Sequence, residues 1–268
     1  MAQIALQSAS SGLSALSTKL DVIANNLANS NTAGFKASRA NFQDLLYIER
    51  AQPGVENANG DQRPTGLYVG LGVKVSGTQQ SFLQGSPLTT NRQLDVMISG
   101  QGFFRVQVEP DLGGGTAYTR AGNFPKNAQG ELVLANDTGR RLDPIIQIPD
   151  EAINIDILQD GRVLVSTPGQ VEPQQVGQLE LASFINPAGL RQEGENLYTE
   201  TAASGPPVEG LPGEQGRGSL QAGFLESSNV DPTYELIELI RTQRAFEMNS
   251  QAIRAADETL RNIGNLRQ

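Results

Sequence analysis

The stretch that decides the fold is Gln3–Asn29, QIALQSASSGLSALSTKLDVIANNLAN. Leu6, Leu13, Leu20 and Leu27 recur every seven residues, and Ala9, Leu16 and Ile23 each follow three residues after one of the first three. Apolar residues at both positions of a seven-residue repeat draw one stripe along an α-helix, the seam by which helices pair in coiled coils. The positions off the stripe are mostly Ser, Ala, Gln, Asn and Gly, and Lys19 and Asp21 are the only charged side chains in residues 1–35. A helix face left in water ordinarily carries charge. So small and uncharged a surface is expected to be covered from several sides. The helix should stop near Asn29-Ser30-Asn31, with Gly34 just beyond, because Asn and Gly suit the left-handed and turn conformations that end helices.

The other end of the chain repeats the pattern. Asp231-Pro232 reads as a helix start, Asp at the N-cap and Pro at the first helical position. Glu235 and Glu238 fall in or near the first turn, where the helix dipole favours carboxylates. A second seam follows in Leu239, Phe246, Ile253 and Leu260, alternating with Thr242, Asn249, Ala256 and Ile263. Polar residues in a seam, here Thr242 and Asn249, weaken association but fix its register. The two seams are predicted to pair. The pair either staples one globular protein or builds an assembly of many copies, and the uncharged N-terminal surface favours the second. Gly12 inside the first helix weakens it by about 1 kcal/mol relative to Ala, so the ends are expected to be partly disordered in a free subunit and to order on assembly.

Between the seams, from about Gly66 to Leu220, the chain is rich in Gly and Pro and carries short alternating runs. Leu94, Val96 and Ile98, a turn at Ser99-Gly100-Gln101-Gly102, then Phe104, Val106 and Val108 predict one β-hairpin; Ile153, Ile155 and Ile157, a turn at Asp160-Gly161, then Val163 and Val165 predict another. A loop is expected over Gly205–Gly218, and Gln221-Ala222-Gly223-Phe224 is expected to return the chain to the helical layer. The fold class is therefore α+β, with discontinuous N- and C-terminal α-helices forming a coiled-coil layer and an all-β domain inserted between them. The expected division is a terminal helical domain at 1–34 and 228–268, a connecting extended segment at 35–88 and 220–227, and an outer β domain at 89–219.

Composition removes most chemistry. The 268 residues include neither Cys nor His, which excludes thiol nucleophiles, Ser-His triads, zinc sites of the usual kind and disulfides. A net charge of −9 speaks against nucleic acid as a partner, since phosphate is neutralised by clustered Lys and Arg. Gly100-x-Gly102 and Gly113-Gly114-Gly115 open no helix, as a phosphate cradle would. Asp150-Glu151 are adjacent and so face apart on a strand, unlike the paired carboxylates of a glycosidase. Asp156 and Asp160-Gly161 miss the twelve-residue calcium-loop spacing. No catalytic residue, cofactor or metal is expected. Residues 1–30 hold no basic leader followed by an apolar run, and no apolar stretch reaches the roughly 20 residues of a membrane span.

Ala24-Asn25-Asn26-Leu27-Ala28-Asn29 followed by Asn31-Thr32-x-Gly34-Phe35-Lys36 resembles the signature of the flagellar rod and hook family. Leu94-Asp95-Val96 with Ile98–Phe104, Tyr118–Phe124 and Phe184–Leu190 resemble the family's central domain, and Leu225–Val230 with Thr242–Ser250 resemble its C-terminal pattern. Length, and Phe42–Tyr47 with Gln52-Pro53-Gly54, are most similar to the distal-rod branch, where this region is an insertion associated with a straight, stiff tube; Ile48–Ala51 departs from that pattern in detail. The proximal-rod and hook branches are the nearest alternatives. The resemblance implies a hollow helical homo-oligomer that acts as a drive shaft, with the terminal helices lining a central channel and the β domain outward. It implies a location across the periplasm and export without a cleaved signal peptide. The partners it implies are further copies, proximal rod proteins, the hook protein, the P- and L-ring proteins and the flagellar export apparatus. Two readings of other classes are a peptidoglycan-acting hydrolase, for which no Asp/Glu pair stands out, and a monomeric β-rich binding module.

Overall fold

A computed structural model describes residues 2–55, 62–170 and 172–265, with side chains described within 4–262. The architecture is α+β, with one long helix at each end and short strands between. The chain forms two compact units: a helical unit made of residues 1–28, 38–80 and 231–268, and a β unit made of residues 29–37 and 81–230.

The helical unit contains α1 (Ala2–Ala28), the strands β1 (Ser38–Asp44), β2 (Tyr47–Ala51), β3 (Leu67–Gly70) and β4 (Val73–Gln80), and α2 (Pro232–Asn265). The signals read at the helix ends do what they were expected to do. Asp231 Oδ1 accepts hydrogen bonds from the amides of Thr233 and Tyr234 at 2.9 and 3.2 Å, satisfying two donors that have no partner inside the helix. The α1 helix stops at Ala28, one residue before the Asn run. The helices lie antiparallel: Asn26 meets Glu235 near one end, and Gly12 faces Asn249 towards the other. β1 and β4 pair antiparallel from Ser38↔Gln80 to Asp44↔Val73, and β2 and β3 form a separate two-stranded ribbon.

In the β unit an antiparallel sheet runs in the order 191–194, 197–199, 116–119, 103–107, 181–183 and 208–210, with 142–143 added beside 103–107. A three-stranded meander of 154–157, 162–166 and 174–178 contains the second predicted hairpin, in the register Ile155↔Val165 and Ile157↔Val163. The first predicted hairpin does not form. Strand 96–99 pairs with 219–222, whereas 103–107 pairs with 116–119 and 181–183. The reason lies in the intended turn, where Gly100 and Gly102 take φ of +117° and +135°, outside the values of a two-residue hairpin turn. They turn the chain into a different sheet. Two further expectations need correction. The Gly205–Gly218 loop contains the short strand 208–210, paired with 181–183. Gln221–Phe224 does not return the chain to the helices: 219–222 and 224–226 are strands of the β unit, pairing with 96–99 and 87–89.

Strand 103–107 shows how this unit closes. Its side chains alternate between two faces, and both are covered: Phe104 and Val106 join Ile98, Phe124, Leu132, Leu142, Val163, Leu181 and Leu220 in the main core. Phe103 turns the other way, into an edge-to-face aromatic cluster with Phe82, Phe184 and Tyr198.

Candidate functional site

Within the helical unit α1 and α2 pack against each other, and the residues expected in the seams are for the most part only partly buried, while off-seam Ala15 and Asn26 are buried. In α1, Leu6, Leu13, Leu16, Leu20 and Leu27 are half-buried and Ile23 is buried. In α2, Leu239, Asn249, Ile253, Ala256 and Leu260 are half-buried, Thr242 is buried and Phe246 is exposed; the side chain of Ile263 lies outside the described residues. Thr242 resolves its polarity locally, its hydroxyl donating to the Glu238 carbonyl at 2.7 Å. Asn249 fits beside Gly12, where a Cβ added to the glycine would sit 3.5 Å from the amide nitrogen.

Three polar devices fix the relation of these elements. Lys19 Nζ donates to Glu238 at 2.8 Å across the helix pair; this bridge and Arg241 hold the Glu238 carboxyl below the usual carboxylate range. Asn26, buried at the end of α1, accepts from the Ser38 amide and donates to the Ser38 carbonyl and to Glu235, so one amide group aligns α1, β1 and α2. The Ser8 hydroxyl donates to the Gly70 carbonyl, and Ser11 Oγ accepts from the Val73 amide. Part of the small, uncharged face of α1 is therefore covered by β3 and β4 of the same chain.

Exposed apolar residues remain, interspersed with exposed charges such as Arg244 and Glu247. Leu236, Ile237, Ile240 and Met248 of α2 are 44–64% exposed. At 100° per residue they cluster on the side of the helix away from the seam. On the β2–β3 ribbon Tyr47, Ile48, Leu67 and Tyr68 are exposed, as is Leu46 just before it.

The signature stretch divides between the two units. Asn25, Asn26 and Leu27 belong to α1, with Asn25 exposed. Asn29, Asn31, Thr32, Gly34, Phe35 and Lys36 belong to the β unit. Asn29 opens a tight turn, its side-chain oxygen accepting from the Thr32 hydroxyl and its carbonyl from the Thr32 amide; Asn31 is exposed on the turn and Phe35 half-buried. Gly34 has φ +75°, and a Cβ there would lie 2.7 Å from the Ala121 amide nitrogen, so both conformation and space demand glycine. Lys36 is wholly enclosed. Its ammonium donates to Glu226 at 2.6 Å and to the Leu83 carbonyl at 2.7 Å, and Arg120 reaches the other oxygen of Glu226 at 3.5 Å. Burial pulls the Lys36 ammonium below its usual range against the pull of Glu226, and lowers Arg120 in the same way.

Sequence reading did not find Glu226, Arg120 or Asn229. Asn229 accepts from the Ala37 amide and donates to the carbonyls of Ser81 and Leu83. The signal was present in the two quoted stretches, a lone Lys after Phe35 and a lone Glu after Leu225, but nothing in either stretch reveals that they meet across 190 positions.

Three family models match the chain: "Flagella basal body rod protein" over 6–36, "Flagellar hook protein FlgE/F/G D1 domain" over 97–165 and "Flagellar basal body rod FlgEFG protein C-terminal" over 221–266. The flagellar basal-body rod protein FlgG of Caulobacter vibrioides is 46% identical over 98% of this chain and 99% of its own. FlgG of Buchnera aphidicola subsp. Schizaphis graminum is 44% identical over 95% and 96%, and FlgG of Bacillus subtilis 40% identical over 98% of each. Since similarity at this level extends from the α1 seam to the end of α2, the chain belongs to the FlgG family of flagellar basal-body rod proteins, structural subunits of the distal rod.

Proposed function

We propose that the two terminal helices of this rod subunit associate with those of further copies as a coiled-coil layer around a channel, building a hollow, straight drive shaft. The observation that carries this reading is a group of exposed apolar residues on α2. The α1–α2 pair uses one side of α2, yet Leu236, Ile237, Ile240 and Met248 stay exposed on another. Apolar side chains grouped on one side of a helix lower the free energy when a partner covers them. The exposed β2–β3 ribbon, in the region resembling the distal-rod insertion, gives the subunit a second such surface and supports the straight form. Seam residues Leu6, Leu13, Leu16, Leu20, Ile23, Leu27, Leu239, Phe246, Asn249, Ile253, Ala256, Leu260 and Ile263 set helix register within this layer.

The partners in this reading are the proximal rod proteins below, the hook protein above, the P- and L-ring proteins around the shaft, and the export apparatus that delivers the subunit without a cleaved signal peptide. The shaft spans the periplasm and carries torque to the hook, with the β unit outward.

Because the chain has no Cys, one introduced thiol reports its own neighbours. In an assembled sample Ile240→Cys is expected to give subunit–subunit disulfides, whereas Ile153→Cys, exposed on the β unit, gives none. Cross-linking at Ile153→Cys and its absence at Ile240→Cys would reverse the assignment of inner and outer parts.

A further inference from the structure

The β unit is fastened where the chain passes through it three times, at 33–37, 81–86 and 226–229. Backbone bonds join all three: the Gly34 amide donates to the Glu226 carbonyl, Ser81 to Ala37, and Ser227 to Ser86, at 2.8, 2.8 and 2.9 Å. Side chains finish the junction. Glu226 Oε1 accepts from both Lys36 and the Gly85 amide, and Asn229 holds Ala37, Ser81 and Leu83 together. Arg120 donates to the Gly100 carbonyl at 2.8 Å and lies over the Phe103 ring, 5.3 Å from its centre.

We propose that these three segments form a charge-locked clasp, which opens and closes as one cooperative unit separate from the core of the β unit. Two features of the junction argue for this. The first is that apolar contact within its segments is sparse. Pass 226–229 carries no apolar side chain, Leu83 is 75% exposed and Phe35 half-buried, and only Phe82 joins the aromatic cluster, so the junction is held mainly by polar contacts, and regions short of apolar contact open at lower free energy than a core. The second is that the polar contacts cannot be released one at a time. Two cations, Lys36 and Arg120, share one carboxylate, and side-chain exposure is 0% for Lys36 and Glu226 and 3% for Arg120. Withdrawing 226–229 alone leaves two cations enclosed without an anion; withdrawing 33–37 alone strips Glu226 of its shorter ion pair. Breaking a buried pair from one side is strongly unfavourable, so the passes leave together or not at all. Gly34 and Lys36 of the signature thus act inside the β unit, tying the segment after α1 to the segment before α2, and they regulate whether both ends of the unit are closed.

Native-state hydrogen exchange on the full chain, followed against denaturant below the unfolding transition, tests this first without any variant. The amides of Gly34, Ala37, Gly85 and Ser227 are expected to follow one common opening with one denaturant slope, while those of strand 162–166 stay protected at least ~10-fold longer. Four unrelated openings, or a single opening shared with strand 162–166, would overturn the proposal. Glu226→Gln then removes the charge and keeps the shape. The clasp amides should lose protection by one shared factor, on the order of 100–5,000-fold, with 162–166 unchanged. Loss confined to Gly85, whose amide the carboxylate accepts, would also overturn it. If Glu226→Gln does not fold, the measurement on the unaltered chain decides.

Discussion

The two units of this chain bury apolar residues to different depths, although both leave some in solvent, Ile185 of the β unit at 85% exposure among them. In the β unit, Phe104, Phe124, Leu132, Leu142 and Leu181 are at most 1% exposed, and strand 103–107 is covered on both faces. In the helical unit the seam leucines stop at half burial, and Leu46 and Met248 remain 82% and 64% exposed. Among the described residues both units carry regular secondary structure, so the contrast concerns packing. Rigid interiors come from dense contact on all sides. The β unit achieves that within one chain, whereas the helical unit presents apolar surface that further copies can cover. One polypeptide therefore carries a densely packed body and a helical part packed less deeply, which is the part proposed to meet further copies.

The largest expected effect probes the densely packed side. Phe104→Ala should destabilise the β unit by about 3–5 kcal/mol, a cavity in a site with no room to collapse, read as a shift of its denaturant midpoint. A change below ~1 kcal/mol would mean that this core is not what holds the unit. On the other side, Leu20→Asp forfeits at most roughly 1.5–3 kcal/mol, the value for a leucine fully buried in the assembly, and should prevent tube formation while the β unit's midpoint stays in place. If both units melt together in that variant, the contrast drawn between them fails.

Much of this contrast was legible beforehand. The two terminal helices, the Asp231-Pro232 start and the turn at Gly34 depend on neighbours in sequence, and they lie where periodicity and turn chemistry put them. The β pairings did not share that advantage. Strand 96–99 finds its partner at 219–222, more than a hundred positions away, and no local signal chooses it over the adjacent 103–107 once Gly100 and Gly102 redirect the chain. The clasp was hidden for the same reason. Lys36 and Glu226 are each a charged residue in a motif, and only the fold reveals that they neutralise one another. The small-residue face of α1 carried a mixed message: Ser8 and Ser11 are small because β3 and β4 approach there, in addition to any role towards other copies.

Two smaller effects sharpen the account of the helix pair. Gly12 has an ordinary helical φ, and a Cβ would make normal contact with Asn249. Gly12→Ala should therefore stabilise the helical unit by about 1 kcal/mol, measured by thermal unfolding of helical ellipticity. A loss of stability would show that the Gly12–Asn249 approach is closer than described.

The smallest effect is electrostatic. Burial raises the Glu235 carboxyl, an effect that the Asn26 hydrogen bond offsets and the nearby Glu238 reinforces. A carboxyl raised on folding weakens the folded form when ionised. Its contribution should therefore improve as pH falls from neutral through that raised value towards the ordinary range near 4. Glu238 has the opposite sign: its lowered carboxyl stabilises above the ordinary range and that contribution is lost on acidification. Glu235→Gln, which keeps an acceptor for Asn26, should raise stability at pH 7 by no more than about 1 kcal/mol and remove the Glu235 part of the pH dependence. A decrease at pH 7 would assign Glu235 a stabilising charge.

The measurement that bears most directly on the central claim is negative-stain electron microscopy of the full chain at rising concentration beside Leu20→Asp at the same concentrations, with β-unit folding checked by circular dichroism. The account predicts straight hollow tubes from the unaltered chain and dispersed, folded particles from the variant. Tubes of the same width from Leu20→Asp would contradict it, because assembly would then not depend on the terminal-helix seam.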